Sequence, residues 1–160
     1  QNKSNAAIWS KKAADKGHVD SSYYIGAYYA TGTGVKTDYI KARFYLNKVI
    51  HANHSKWKAE SHTYLGSMNQ YGYGGKKDYN KAVFHFKSAL DEDPTNARSW
   101  YKLGLSYEEA WLGQKSIKIA KECYEKSAKY GNSKAKEKLK FFETRYSDKA
   151  MKAASAFDSL

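Results

Sequence analysis

The sequence predicts an all-α solenoid, built from helix pairs that recur along one repeat domain of 160 residues. The first observation is a set of marker residues that recurs around Gly26, Gly66 and Gly104, with a period of 38 to 40 residues. The second is a helix-capping residue at a fixed distance after each marker glycine. A unit of this length cannot bury its own apolar face, so successive units are expected to stack.

The first helix of each pair, helix A, is predicted at residues 19–30, 58–70, 95–109 and 133–144. One face of helix A carries small residues and, four positions later, branched apolar residues, which indicates packing against a neighbouring helix. These residues are Ser21, Ser61, Ser99 and Ala135, followed by Ile25, Leu65, Leu103 and Leu139. Glycine inside a helix costs about 1 kcal/mol relative to alanine. Its recurrence therefore predicts a close approach between helices.

The second helix, helix B, is predicted from its ends. Asn2, Asp38, Asp78 and Ser116 are suitable N-cap residues, and Gly17, Asn53, Asp93 and Gly131 are types that tolerate the left-handed conformation at a helix end. The predicted organisation is helix B of a truncated unit at 1–18, repeats at 19–54, 55–94 and 95–132, and a partial unit at 133–160. Its last helix is expected to cap the array or to dock a partner, through an apolar stripe of Ala150, Ala153, Ala154, Phe157 and Leu160.

Two segments resemble the Sel1-like repeat, a relative of the tetratricopeptide repeat. They run from Ile25 to Val35 with Asp38 and Ala42, and from Leu65 to Ala82. The resemblance extends over about residues 2–142 and implies a right-handed α-α superhelix that acts as an adaptor without a cofactor. Bacterial proteins of this kind are often exported, with roles at the envelope or in host interaction, and eukaryotic ones serve endoplasmic-reticulum quality control. If the protein is bacterial, its export signal is expected outside this sequence.

The resemblance also implies that helix A lines a concave groove for a protein or peptide partner. Helical geometry selects the residues opposite the packing face of helix A. The predicted partner-binding residues are Tyr23, Ala27, Thr63, Ser67, Gln70, Arg98, Tyr101, Leu105, Glu108 and Phe141. The alternative is that some of them pack between units instead.

The net charge of +12 suggests an anionic partner as a second hypothesis. Outer lysines would then bind nucleic acid or an anionic membrane. Only three of the 28 basic residues are arginines, whereas base readout and bidentate phosphate binding favour arginine. The whole groove face of helix A adds six residues to these ten, namely Asp20, Ala30, Glu60, Lys134, Glu137 and Thr144. That face has four acidic and two basic side chains, which argues against nucleic acid there.

Candidate chemical sites are weak. His51, His54 and His62 lie near Glu60, but their spacing matches no standard zinc motif, so surface histidines are the preferred interpretation. The glycine-rich loops at 31–37 and 72–77 lack the established phosphate-binding spacings. Cys123 is the single cysteine, so no internal disulfide can form, and no histidine is indicated beside it. No catalytic constellation stands out, and we expect neither an enzyme nor a metal site.

Overall fold

Helix pairs make up residues 2–145, the part of the chain that this computed structural model describes. These residues form eight α-helices and no strand, which confirms the all-α prediction. The helices are α1 (Asn2–Asp15), α2 (Val19–Thr31), α3 (Tyr39–Ile50), α4 (Lys58–Tyr71), α5 (Tyr79–Glu92), α6 (Ala97–Glu108), α7 (Ile117–Lys129) and α8 (Ser133–Arg145). Helix A of the repeats is thus α2, α4, α6 and α8, and helix B is α1, α3, α5 and α7.

The chain divides between Glu92 and Asp93 into two compact units. Unit 1 contains α1 to α5 and unit 2 contains α6 to α8, and within each unit every helix packs on the next. The repeat boundaries given above stay predictions. The predicted capping helix, with its stripe from Ala150 to Leu160, lies outside the described residues.

The marker glycines are the points where helix A meets helix B. A Cβ atom on Gly66 would lie 2.6 Å from Cε1 of Phe86, and one on Gly104 would lie 2.6 Å from Cε1 of Tyr124. At Gly26 the same atom would lie 2.9 Å from Cγ of Leu46. Each glycine therefore leaves a notch that the large side chain of the following helix fills.

Three of the four predicted caps, Asp38, Asp78 and Ser116, define the start of helix B, whereas Asn2 is already the first residue of α1. Asp38 and Asp78 each accept a hydrogen bond from the backbone N–H three residues later, at 2.9 Å. Ser116 does the same for Ile119 at 3.3 Å. These bonds satisfy backbone donors that have no partner inside the helix.

The predicted left-handed ends of helix B are only half right. Gly17 and Gly131 have φ angles of +93° and +96°. Asn53 and Asp93 are not left-handed, because Ala110 is the one non-glycine residue of the described chain with a positive φ. At Asp93 the side chain instead accepts hydrogen bonds from the N–H and the hydroxyl of Thr95, so it stabilises the turn into α6.

Candidate functional site

The predicted partner-binding residues have different environments in the two units. In unit 1 the predicted partner-binding residues of α4 are largely buried, since Thr63 and Gln70 are 2% and 7% exposed. These two side chains therefore have little surface to offer a partner, and a role for them in binding stays a prediction. Their burial follows from packing, and the Thr63 hydroxyl donates to the Ala59 carbonyl oxygen at 2.8 Å. Ser67, half-buried on the same helix, donates to the carbonyl oxygen of Thr63 at 3.0 Å.

Tyr23 on α2 belongs to an aromatic group. Its ring stacks on Trp57 with centroids 4.4 Å apart and an interplanar angle of 4°. Tyr24 meets both rings edge-on. Ala27, one turn later, is half-buried. Stacking fixes the Tyr23 ring, so it can present a rigid aromatic edge but cannot reorient freely.

In unit 2 the structure brings two of the predicted anchors together. Tyr101 of α6 and Phe141 of α8 line one groove of about 390 Å³, together with Lys134, Glu137 and Lys138. Phe141 is 46% exposed, while Tyr101 is half-buried and lies 5.6 Å from the ring of Tyr124. The groove therefore combines an aromatic floor with a charged rim.

Two other predicted residues of unit 2 also stabilise the fold. Leu105 packs against the core cluster around Tyr124 and Phe142. Glu108 accepts hydrogen bonds from the Tyr124 hydroxyl at 2.5 Å and from Lys138 Nζ at 2.8 Å. Burial is the main cause that raises the pKa of Tyr124, and the hydrogen bond to Glu108 is the second, so the phenol stays protonated. The carboxylate of Glu108 is thus committed inside the unit, whereas Arg98 is exposed.

The histidines do not arrange as a cluster around Glu60. His51 and His54 are exposed, but His62 is buried and pairs with His85 of α5, with 2.9 Å between their Nδ1 atoms. Burial lowers the pKa of both rings, and that of His85 falls to about 4. Within residues 2–145 no group of three or more metal-ligand side chains is present.

The glycine-rich loops and Cys123, the remaining candidate sites, have structural roles within the chain. Asp38 and Asp78 bond the N-termini of α3 and α5, beside the two grooves at the glycine-rich loops. Cys123 is buried, and burial raises its pKa to about 11, so the thiol is not a nucleophile at neutral pH. No helix in the described range has the length and apolar character of a membrane span.

Sequence reasoning missed three features of this surface. The partners of Tyr23 and Glu108, namely Trp57 and Lys138, lie on other elements, and no spacing within one repeat indicates them. The pairing of His62 with His85 could have been found, because the two positions face each other in the helix pair. The third feature is a row of exposed apolar residues on the B helices, among them Phe44 and Phe84.

Comparison with known proteins gives a consistent result. The Sel1 repeat profile matches residues 1–18, 19–54, 59–94 and 97–132. The fold is similar to a Sel1 repeat protein from Oxalobacter formigenes, with a TM-score of 0.73, 25% identity, and coverage of 87% of this chain and 54% of that one. It is equally similar to a protective antigen of uropathogenic Escherichia coli strains that displays an SLR fold, with a TM-score of 0.73 and 25% identity over 89% of this chain.

The present chain spans about half of the first of these proteins and 29% of the second. A search of curated protein sequences gave no significant match.

Proposed function

Because the chain belongs to the Sel1 repeat family, we propose that it is a scaffold that binds a protein or peptide partner along its A helices, with no enzymatic activity of its own. Sel1 repeats are in general protein-interaction modules, and the proteins that carry them are typically non-catalytic. The specific proposal is that α6 and α8 supply the main binding groove. The observation that carries it is the convergence of Tyr101 and Phe141 on one groove within unit 2.

The groove has the composition of a peptide-binding surface. A few buried aromatic anchors supply most of the energy at protein interfaces, and a polar rim excludes water around them. Phe141 offers its ring to a partner, while Tyr101 is positioned from below by the ring of Tyr124. Lys134 and Glu137 are exposed at the rim, so both charges are available for specificity.

The proposed contact set is therefore narrower than the predicted one. Tyr23, Ala27, Ser67, Arg98 and Phe141 retain accessible surface. Thr63, Gln70 and Glu108 are assigned to the fold, and Tyr101 and Leu105 serve both the groove and the core. Truncation of Tyr101 or Leu105 would lower stability as well as affinity, so Phe141 is the better residue for a test.

The test is a selection of peptides on the intact protein from a displayed library, followed by measurement of each affinity by fluorescence anisotropy. Phe141→Ala should weaken peptides bound at the groove by about 1–3 kcal/mol. Lys118→Ala on α7, an exposed residue outside the groove, is the matched control and should leave affinity unchanged. Melting curves of both variants should match the parent.

Loss of peptide binding in Lys118→Ala but not in Phe141→Ala would contradict the proposal. It would favour the alternative of an anionic partner held by outer lysines, because neutralising a lysine acts mainly on electrostatic attraction. A parent protein that selects no peptide would also argue against the groove.

A role at the bacterial envelope or in host interaction is a further part of the proposal. It is supported by the similar fold of a protective antigen from uropathogenic Escherichia coli. Labelling of intact source cells with an antibody against unit 2, compared with permeabilised cells, tests it. Labelling that requires permeabilisation would contradict exposure at the cell surface.

A further inference from the structure

The B helices of unit 1 carry large apolar side chains that point into solvent. Ile8 of α1, Phe44 of α3 and Phe84 of α5 are 51%, 55% and 62% exposed. By sequence spacing the three occupy equivalent repeat positions, since each lies two residues after the marker alanine of its helix. Ala42 and Ala82 are buried, whereas Ala6 of α1 is exposed. Equivalent positions of stacked repeats lie on one face of unit 1.

Two further residues extend this surface. Trp9 follows Ile8 and is 68% exposed, and Ile40 lies one turn before Phe44 and is 73% exposed. We call the five residues Ile8, Trp9, Ile40, Phe44 and Phe84 the B-helix row. None of them lines any of the three grooves described above. The side chains therefore project outward from the helices. Single exposed apolar residues are normal on protein surfaces, so it is the recurrence at equivalent repeat positions that points to an interaction surface.

Stacking of repeats does not require apolar side chains at this position. In unit 2 the equivalent residue on α7 is Glu122, which is exposed. The helix pair of unit 2 packs its B helix through Tyr124 just as unit 1 does through Phe86. The apolar side chains of Ile8, Phe44 and Phe84 are thus additional to the fold.

Cations surround the row. Lys12 Nζ lies 4.9 Å from the centroid of the Trp9 ring, and Lys48 Nζ lies 4.5 Å from that of Phe44. Lysines are also exposed on the same helices at positions 41, 81 and 87.

The carboxylates of these three helices and their caps lie mainly at the helix ends and are largely engaged. Asp15 pairs with Lys11 at 2.5 Å, and Asp38 and Asp78 cap α3 and α5 and pair with lysines three residues later. At the end of α5, Glu92 lies 3.9 Å from Lys58, and Asp91 is exposed. Lys41 and Lys81 are partly neutralised by these aspartates, so the positive charge beside the row comes mainly from Lys12, Lys48 and Lys87.

We propose that the B-helix row adsorbs to the surface of an anionic phospholipid bilayer. The side chains of Trp9, Phe44 and Phe84 would enter the interfacial region, where aromatic residues are favoured, while the lysines contact lipid phosphates. A second copy of the chain is a poor occupant, because two such faces carry the same charge.

A bilayer also fits the shape of the row better than an acidic protein does. The anchors project separately from three helices, and a fluid interface accepts such anchors without complementary pockets. An acidic protein partner is the competing outcome of the test. This proposal does not rest on the groove of unit 2, so either can fail alone.

The test is sedimentation of the intact protein with vesicles of phosphatidylcholine alone or of phosphatidylcholine and phosphatidylglycerol in equal parts. We expect binding only to the anionic vesicles, weakened by high salt. The double variant Phe44→Ser/Phe84→Ser should lower the partition coefficient by at least about tenfold. Lys48→Gln should lower it about fivefold.

The matched control is Ile119→Ser, which removes an exposed apolar residue from α7 of unit 2 and should leave partitioning unchanged. All the substituted residues are exposed, and circular dichroism melts should show that the variants fold. Absence of binding to anionic vesicles would overturn the proposal. It would do so even if the row were then found to bind an acidic protein. Binding that the phenylalanine double variant retains would also overturn it, because charge alone would then suffice.

Discussion

Units 1 and 2 use the same contact inside the helix pair but present different surfaces. A Cβ atom added to Gly66 in unit 1 would lie 2.6 Å from the ring of Phe86, and one added to Gly104 in unit 2 would lie 2.6 Å from the ring of Tyr124. In contrast, α5 exposes Phe84 where α7 exposes Glu122, and α4 buries Gln70 where α6 uses Glu108 in an ion pair. The repeat therefore fixes the positions between its two helices and leaves the outward positions free to diverge.

The largest expected effect is at the shared contact. Gly66→Leu and Gly104→Leu should each destabilise the protein by about 3 kcal/mol or more, because the new side chain overpacks against an aromatic ring between two helices. Thermal and urea melts measure the loss. Gly75→Ala is the control, since its Cβ would come no closer than 3.8 Å to Arg43. If only one of the two leucine variants loses stability, the contact is not equivalent in the two units.

A smaller effect is expected from pH, and only in unit 1. His62 is buried and its partner His85 is half-buried, and both have depressed pKa values, about 4 for His85. A histidine in the unfolded chain titrates near its ordinary value. Below a pH of about 6.5, the ordinary pKa of histidine, the unfolded state therefore binds more protons than the folded state. The stability that the neutral histidines contribute above this pH is lost as the pH falls towards 4.

Because both rings keep some access to solvent, we expect a loss of roughly 1–2 kcal/mol. Hydrogen exchange at pH 7 and pH 5 can locate the loss, which should appear in α4 and α5 and be absent from α6 and α7. The positions equivalent to the two histidines in unit 2 are Trp100 and Cys123, which do not titrate in this range. His85→Asn should remove most of the difference, and His54→Asn, at an exposed site, should not.

The smallest expected effect concerns the turn after helix A. Gly32 and Gly72 end α2 and α4 with φ angles of +72° and +76°, and the corresponding residue of unit 2, Ala110, has a φ of +53°. A side chain is strained in this region, so Ala110→Gly should stabilise the protein by about 0.5–1 kcal/mol. A change of sign in the melting temperature would show that the alanine turn is compensated by contacts in unit 2.

The fold followed from the sequence because its signals are local and repeated. Caps at Asp38, Asp78 and Ser116 and the spacing of Gly26, Gly66 and Gly104 act within one helix pair, so pattern and structure agree. The prediction of a left-handed helix end was wrong at Asn53 and Asp93, because residues that tolerate this conformation do not require it. At Asp93 the hydrogen bonds of the side chain stabilise a different turn.

The candidate site was less predictable. A helical projection places Thr63, Gln70 and Tyr101 on one face, but it does not show which neighbouring element covers that face. Burial of Thr63 and Gln70 depends on packing within unit 1, and the bond from Lys138 to Glu108 crosses 30 residues. Such contacts depend on tertiary structure, which single-sequence periodicity does not contain.

The notch at the marker glycines also bears on how such a chain can be rebuilt. Leucine, phenylalanine and tyrosine fill the same space at positions 46, 86 and 124, so the recess accepts fillers of different size and polarity. After a repeat is duplicated, one copy can therefore exchange its filler while the glycine stays. The hydroxyl of Tyr124 donates a hydrogen bond to Glu108, which the leucine and phenylalanine fillers cannot do. We therefore expect that helix B segments with different fillers can be exchanged between helix pairs in an engineered array.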